Sequence, residues 1–172
     1  DTAPYYIDLV KIYLGLKDYE RAFEFLQDYK KLDTEINYND YFLESDILLG
    51  QGKVVKALKV LENAEAKSSS PELSYKKGKI HFIKKNFDKA RDCFESAIER
   101  SQDNPKYHKA MSQTYYELEA YEDSAEHALT AIELVKYFPA AHYALGRALE
   151  KLGDLENSKI AFETAAKLTP KK

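Results

Sequence analysis

Residues 139–172 read PAAHYALGRALEKLGDLENSKIAFETAAKLTPKK, and this stretch decides the fold. Ala141, Leu145, Ala148, Leu149 and Leu152 recur at helical spacing, Gly153-Asp154 interrupts them, and Leu155, Ala161, Phe162, Ala165, Ala166 and Leu168 form a second apolar stripe. Pro170 stops that second run, because its ring cannot continue a helical hydrogen-bond ladder. The block is therefore predicted as helix, short turn, helix. Working outward, the same pattern returns without a gap in 105–138 and in 71–104. Pro71, Pro105 and Pro139 recur at one constant interval, and so do Gly78, Ser112 and Gly146, then Ala90, Ser124 and Ser158, then Ala97, Ala131 and Ala165. A fixed period of this kind marks a helical repeat array, whose working surface is a groove and not a catalytic pocket.

The repeated residues have assignable tasks. Each proline suits the first turn of a helix, where an N–H has no partner to lose, and Ser70 and Asn104 precede two of them as expected N-caps. Gly78, Ser112 and Gly146 are expected to face Ala90, Ser124 and Ser158 where the paired axes come closest, since a bulky side chain there would force the helices apart. Phe87, Tyr121 and Leu155, and likewise His81, Tyr115 and Leu149, are expected to fill the seams between pairs.

Composition agrees with helices packed on helices. The 172 residues are 44% apolar and 32% charged, with five Pro and six Gly, which argues against disorder. Lys and Arg total 26 against 29 Asp and Glu, for a net charge of -3, so no strongly basic field is present to hold a nucleic-acid backbone. The longest uncharged apolar runs span only a few residues, which excludes a membrane-crossing helix. The single cysteine, Cys93, can form neither an internal disulfide nor a zinc site by itself, and it reads as a semi-buried small hydrophobe.

The pattern resembles the tetratricopeptide repeat. Tyr143-Ala144-Leu145-Gly146, Leu149, Ser158, Phe162, Ala165 and Pro170 reproduce its signature in the last block. Residues 38–70 follow it through Tyr41, Ser45, Leu48, Gly52, Ala57, Leu61 and Ala64, and residues 3–37 through Tyr6, Leu9, Tyr13, Asp18-Tyr19, Ala22 and Leu26. The resemblance implies an all-α, right-handed α-α superhelix of five antiparallel helix pairs. A single array would cover 1–172, with repeats near 3–37, 38–70, 71–104, 105–138 and 139–172. The departures are Val10 and Tyr29, where the family has small residues, and Ala128, where it has a large one, which suggests looser packing in the fourth repeat.

In this family the first helices line a concave face that holds extended peptides. Carried over position by position, the implied groove includes Asp8, Lys11, Phe42 and Asp46 early in the chain. Its centre is Tyr75, Lys76, Lys79, Phe82, Lys106, Lys109, Gln113, Tyr116, Tyr143 and Arg147, with Glu72, Glu117 and Glu150 at the edges. Aromatic rings among ammonium groups suit apolar anchors and carboxylates, which points to an acidic or C-terminal peptide segment. Some family members clamp a chaperone's terminal carboxylate with two Lys, two Asn and an Arg. Lys109 fills one such place, but Gln113 and Ala144 stand where Asn is needed, so that clamp is not expected.

No catalytic constellation is legible. There is no Gly-rich phosphate loop, no nucleophile elbow and no His-Glu-x-x-His helix. His108 and His142 lie one period apart, yet both occupy the place where the family packs a large ring, and His127 is expected on an outer helix. No cofactor or metal is implied. The leading expectation is a noncatalytic adaptor that binds a protein or peptide. A second is a domain of a larger protein, since the chain starts without Met and Tyr137-Phe138-Pro139-Ala140-Ala141-His142-Tyr143 also resembles repeats appended to hydrolases of the alkaline-phosphatase superfamily. A third is self-association through the final repeat. A bacterial source and a cytoplasmic setting are favoured, with a periplasmic or surface-anchored one if the chain is a fragment.

Overall fold

The computed structural model describes residues 3–32, 38–66 and 69–170, and every regular element among them is an α-helix. The helices are α1 (Ala3–Gly15), α2 (Tyr19–Lys30), α3 (Tyr38–Gly50), α4 (Val54–Glu65), α5 (Pro71–Ile83), α6 (Phe87–Arg100), α7 (Pro105–Glu117), α8 (Tyr121–Leu134), α9 (Pro139–Lys151) and α10 (Leu155–Leu168). They pair in tandem, α1 with α2 through α9 with α10, as the period requires. The boundary expected at residue 37 and the terminal Lys171-Lys172 lie outside the described residues. The chain divides into two compact units, Asp1–Ser69 and Ser70–Lys172. None of the described helices is long and apolar enough to cross a membrane.

The helix starts follow the sequence signals. Ser70 Oγ accepts from the Leu73 N–H at 3.1 Å, and Asn104 Oδ1 from the Lys106 N–H at 3.1 Å, each just ahead of a proline in the first turn. Asp18 and Asp154 cap α2 and α10 in the same manner, through the N–H groups of Arg21 and Asn157. At the other end, α10 stops at Leu168. Thr169 turns extended (ψ 121°), as the residue ahead of Pro170 must.

The turn inside each pair is a Schellman motif. In the last one the Asp154 N–H reaches the Leu149 carbonyl at 3.0 Å while the Gly153 N–H reaches that of Glu150 at 3.2 Å. Lys17, Gly52, Lys85, Glu119 and Gly153 are the left-handed residues of the five turns, with φ from 59° to 83°.

In the first unit Val10, Ala22, Leu26, Tyr29 and Ile47 form a single buried cluster. Lys30 reaches Glu44 at 2.6 Å from α2 to α3, with both side chains largely covered. In the second unit Ala90, Phe94, Ala110 and Met111 form the buried centre, flanked by Tyr75, Phe82, Ile98 and Tyr115. Here the small residues of the period explain the close crossings. A Cβ on Gly78 would stand 2.5 Å from the Phe94 ring, and one on Gly146 2.8 Å from the Phe162 ring. Ser124 Oγ donates to the Ser112 carbonyl at 2.8 Å and Ser158 Oγ to the Gly146 carbonyl at 2.9 Å, so the serines at these crossings join the helices as well as sparing room.

Candidate functional site

The ten residues of the implied groove centre all fall in the second unit, on its three first helices. Tyr75, Lys109 and Tyr143 share the fifth place of α5, α7 and α9; Lys79, Gln113 and Arg147 share the ninth; Phe82 and Tyr116 share the twelfth. Spacings of four and three put these on one helical face. Lys76 and Lys106 fall at the sixth place of α5 and the second of α7.

Three cavities follow one another along this face. One of about 130 Å³ is lined by Tyr75, Lys79, Phe82, Ile83, Phe94, Lys109, Ala110 and Gln113. A small void of about 10 Å³ lies among Gln113, Tyr116, Tyr143 and Arg147, with Ser112, Ser124 and Ala144 behind them. The third, about 720 Å³, is lined by Gln113, Tyr143, Glu150 and Phe162 together with Pro139, Ala140, Ala165, Ala166 and Thr169. Gln113 borders all three, so eight of the ten candidates lie along one track. Lys76 and Lys106 line none of these cavities.

The charges on this track are held unequally. Arg147 lies 3.8 Å above the Tyr116 ring and 3.7 Å from Glu117 Oε1, so it is already engaged. Lys79 stands exposed, with its ammonium 5.7 Å from the centre of the Tyr75 ring. Lys109 is half-buried, and its Nζ donates to Gln113 Oε1 at 3.0 Å. Burial, and then the like charge of Lys79, hold the Lys109 ammonium below its ordinary range. A cation in that situation is short of negative charge, and a carboxylate arriving in the adjoining cavity would supply it.

The rings are fixed from below. Tyr75 packs at 5.7 Å on Phe94 and 5.0 Å on Tyr107, Tyr116 at 5.5 Å on Tyr121, and Tyr143 at 5.4 Å on Phe162. The Tyr107 hydroxyl donates to Glu72 at 3.3 Å, and burial followed by the Glu72 charge pushes that phenol up to about 12. Of the acids expected at the edges, Glu72 is thus tied to Tyr107, Glu117 faces Arg147, and Glu150 borders the third of these cavities.

Reading the first helices alone missed the floor. Phe94 and Phe162 come from second helices, and their equivalent places, two periods apart, were the signal available. It also missed the partner of His108. His108 Nε2 must donate to the Gln102 carbonyl at 2.9 Å, which leaves its Nδ1 to accept from His127 Nδ1 at 3.1 Å. The two rings bridge α7 and α8, and His127 stacks on Tyr115 at 5.5 Å. In the first unit Asp8 and Lys11 pair with each other at 3.7 Å, while Phe42 and Asp46 are half-buried on α3.

Sequence profiles described as tetratricopeptide repeat match residues 3–35, 48–114 and 139–172, which together cover most of the ten helices. The chain belongs to the tetratricopeptide repeat family. Its ten helices in tandem pairs are the all-α solenoid architecture of that family, at about five repeats. Among solved tetratricopeptide repeat structures, MamA 41-end from Desulfovibrio magneticus RS-1 is 18% identical with a TM-score of 0.78, covering 98% of this chain and 95% of that one. YrrB, described as a TPR protein with an unusual peptide-binding site, is 16% identical with a TM-score of 0.70, covering 96% and 85%. The first TPR of Spaghetti, bound to the HSP90 peptide SRMEEVD, is 22% identical with a TM-score of 0.58, covering 60% and 82%.

Proposed function

We propose that this chain is a noncatalytic interaction scaffold that holds an acidic or C-terminal peptide segment along the face formed by α5, α7 and α9. The observation that carries the reading is Lys109. It is half-buried beside Lys79, its ammonium is held below its ordinary range by burial and like charge, and with Lys79 and Gln113 it borders a cavity otherwise lined by Tyr75, Phe82, Ile83, Phe94 and Ala110. That cavity suits an apolar side chain next to a carboxylate, the pairing an acidic peptide offers. Peptide binding by neighbours of the same fold supports the class of function. Gln113 and Ala144 set the carboxylate contacts apart from the two-asparagine clamp that the family uses for chaperone tails.

The test is binding of short fluorescent peptides, acidic, neutral and basic, each with a free or an amidated C-terminus. Acidic peptides with an apolar residue should bind best. The variant with Lys76, Lys79, Lys106 and Lys109 all changed to Glu should keep its helical circular dichroism while losing roughly tenfold or more in affinity. Indifference to peptide charge, or binding that survives the four reversals, would refute the reading. Loss on amidation alone would assign Lys79 and Lys109 to a terminal carboxylate.

A further inference from the structure

Two lysines that the fold partly covers differ in what they meet. Lys30 of α2 ends 2.6 Å from Glu44, so its nitrogen frees a lone pair only by giving up an ion pair. Lys109 of α7 is half-buried as well, but the group it meets is neutral, since its Nζ donates to Gln113 Oε1 at 3.0 Å. A neutral amine keeps that hydrogen bond with one N–H, whereas an ammonium there has lost solvent without gaining a counter-charge. Burial first, and then the Lys79 ammonium, favour the neutral form of Lys109.

The adjoining cavity supplies the rest of a reactive site. Its volume is about 130 Å³, and besides Lys79, Lys109 and Gln113 it is lined by Tyr75, Phe82, Ile83, Phe94 and Ala110. Rings and aliphatic carbon make up most of that wall, so a short apolar chain suits it. Lys79 is exposed, with its ammonium over the Tyr75 ring at 5.7 Å, and it is the cation of this lining open to an anion from solvent. A nucleophilic amine, an apolar recess and a cation for a departing anion are what acyl transfer from an acyl phosphate requires.

We propose that Lys109 is a site of acylation by short-chain acyl phosphates, with the acyl chain in the apolar cavity and the phosphate on Lys79. The Lys109 Nζ lone pair attacks the carbonyl carbon, and a C–N bond forms. The bond from that carbon to the phosphate oxygen breaks, inorganic phosphate leaves with the electron pair, and the nitrogen gives up a proton to water. The product is a neutral amide whose N–H still has Gln113 Oε1 within reach, and the track loses the Lys109 charge. Acylation needs no peptide on this face, so it stands or falls apart from the binding reading above.

The test is timed incubation of the full chain with butyryl phosphate or acetyl phosphate at neutral pH, followed by mass-spectrometric peptide mapping that gives a rate for each lysine. Lys109 should be acylated roughly fivefold or more faster than the exposed Lys53, Lys85 and Lys151, and faster than Lys30 by the same margin. Butyryl phosphate should outrun acetyl phosphate at Lys109 by roughly fivefold, because its further methylenes enter the cavity, and should show no such advantage at the exposed lysines. Lys79→Ala should slow Lys109 severalfold, and Ile83→Ser should remove most of the butyryl advantage. Both positions are exposed, so helical circular dichroism should be kept. Lys109 acylated no faster than the exposed lysines, equal rates with the two reagents at Lys109, or an unslowed Lys109 in the Lys79→Ala chain would each overturn the proposal.

Discussion

The five turns within helix pairs are built alike, whereas the five crossings just ahead of them are built in at least three ways. Every turn has the same two backbone hydrogen bonds and one left-handed residue. At the crossing, the third and fifth pairs set Gly78 against Phe94 and Gly146 against Phe162. The first pair uses Val10 and Leu26 in one buried cluster, and the fourth has Ser112 and Ala128, with hydrogen-bonded serines close by. A turn is a backbone conformation and admits one solution. A crossing is a volume to be filled from two sides, so a large residue on one helix can be exchanged for one on the other.

The strongest way to break this comparison is Gly78→Val, which puts a branched side chain where even a Cβ meets the Phe94 ring at 2.5 Å. The expected cost is on the order of 2 kcal/mol, read from the midpoint of urea unfolding. Adding Phe94→Leu recreates the valine and leucine combination of the first pair and should recover much of the loss. The two changes should therefore couple strongly in a double-mutant cycle. If they simply add, the crossings are not interchangeable volumes, and the first pair is held by something else.

The fourth pair solves its crossing with small residues and leaves a void of about 10 Å³ bordered by Ser112 and Ser124. Beside it, the hydrogen bond between His108 and His127 ties α7 to α8. Burial, followed by the proximity of His108, lowers the His127 imidazole below its ordinary 6.5, against the smaller opposing pull of Glu126 and Asp123 on α8. The folded state thus binds this proton less readily than the unfolded one. The contribution is complete above pH 6.5 and is lost as the pH falls from there toward the lowered value. Tyr115 stacks on the ring from α7, and Tyr115 in turn lies within reach of the charges of Glu95 and Arg91 on α6. His127→Gln can still donate to His108 and carries no titrating group. It should flatten the fall in melting temperature as the pH drops below 6.5. An unchanged pH profile would remove His127 as the cause.

How much of this was legible follows from the same distinction. Turns, caps and the prolines at helix starts are local, so Gly153-Asp154, Ser70 and Asn104 could be read directly, and the constant register carried them through the chain. Val10, Tyr29 and Ala128 could be recognised as departures. What offsets Val10 is a residue of similar placement on the other helix, and recognising it requires knowing which side chains meet. The eight groove candidates that share a track were legible because they share one helix face. The floor supplied by Phe94 and Phe162, and the joining of His108 to His127, depend on the second helices, which reading the first-helix face leaves out.

The smallest effect belongs to the turns. Their left-handed residue is Gly at 52 and 153 but Lys17, Lys85 and Glu119 elsewhere, with φ of 59°, 59° and 63°. A side chain in that region costs roughly 1 kcal/mol through the clash of its Cβ with the following carbonyl. Glycine escapes the clash but gives the unfolded chain more freedom to lose. Lys85→Gly and Glu119→Gly should therefore each raise stability by a few tenths of a kcal/mol, visible as a small upward shift in the urea midpoint with an unchanged slope. The reverse change, Gly153→Lys, should lower it by a comparable amount, because nothing lies within 4 Å to reward a new side chain. If Lys85→Gly destabilises instead, that side chain contributes more to its turn than the backbone strain it imposes. The five turns would then be alike in hydrogen bonding but not in energy.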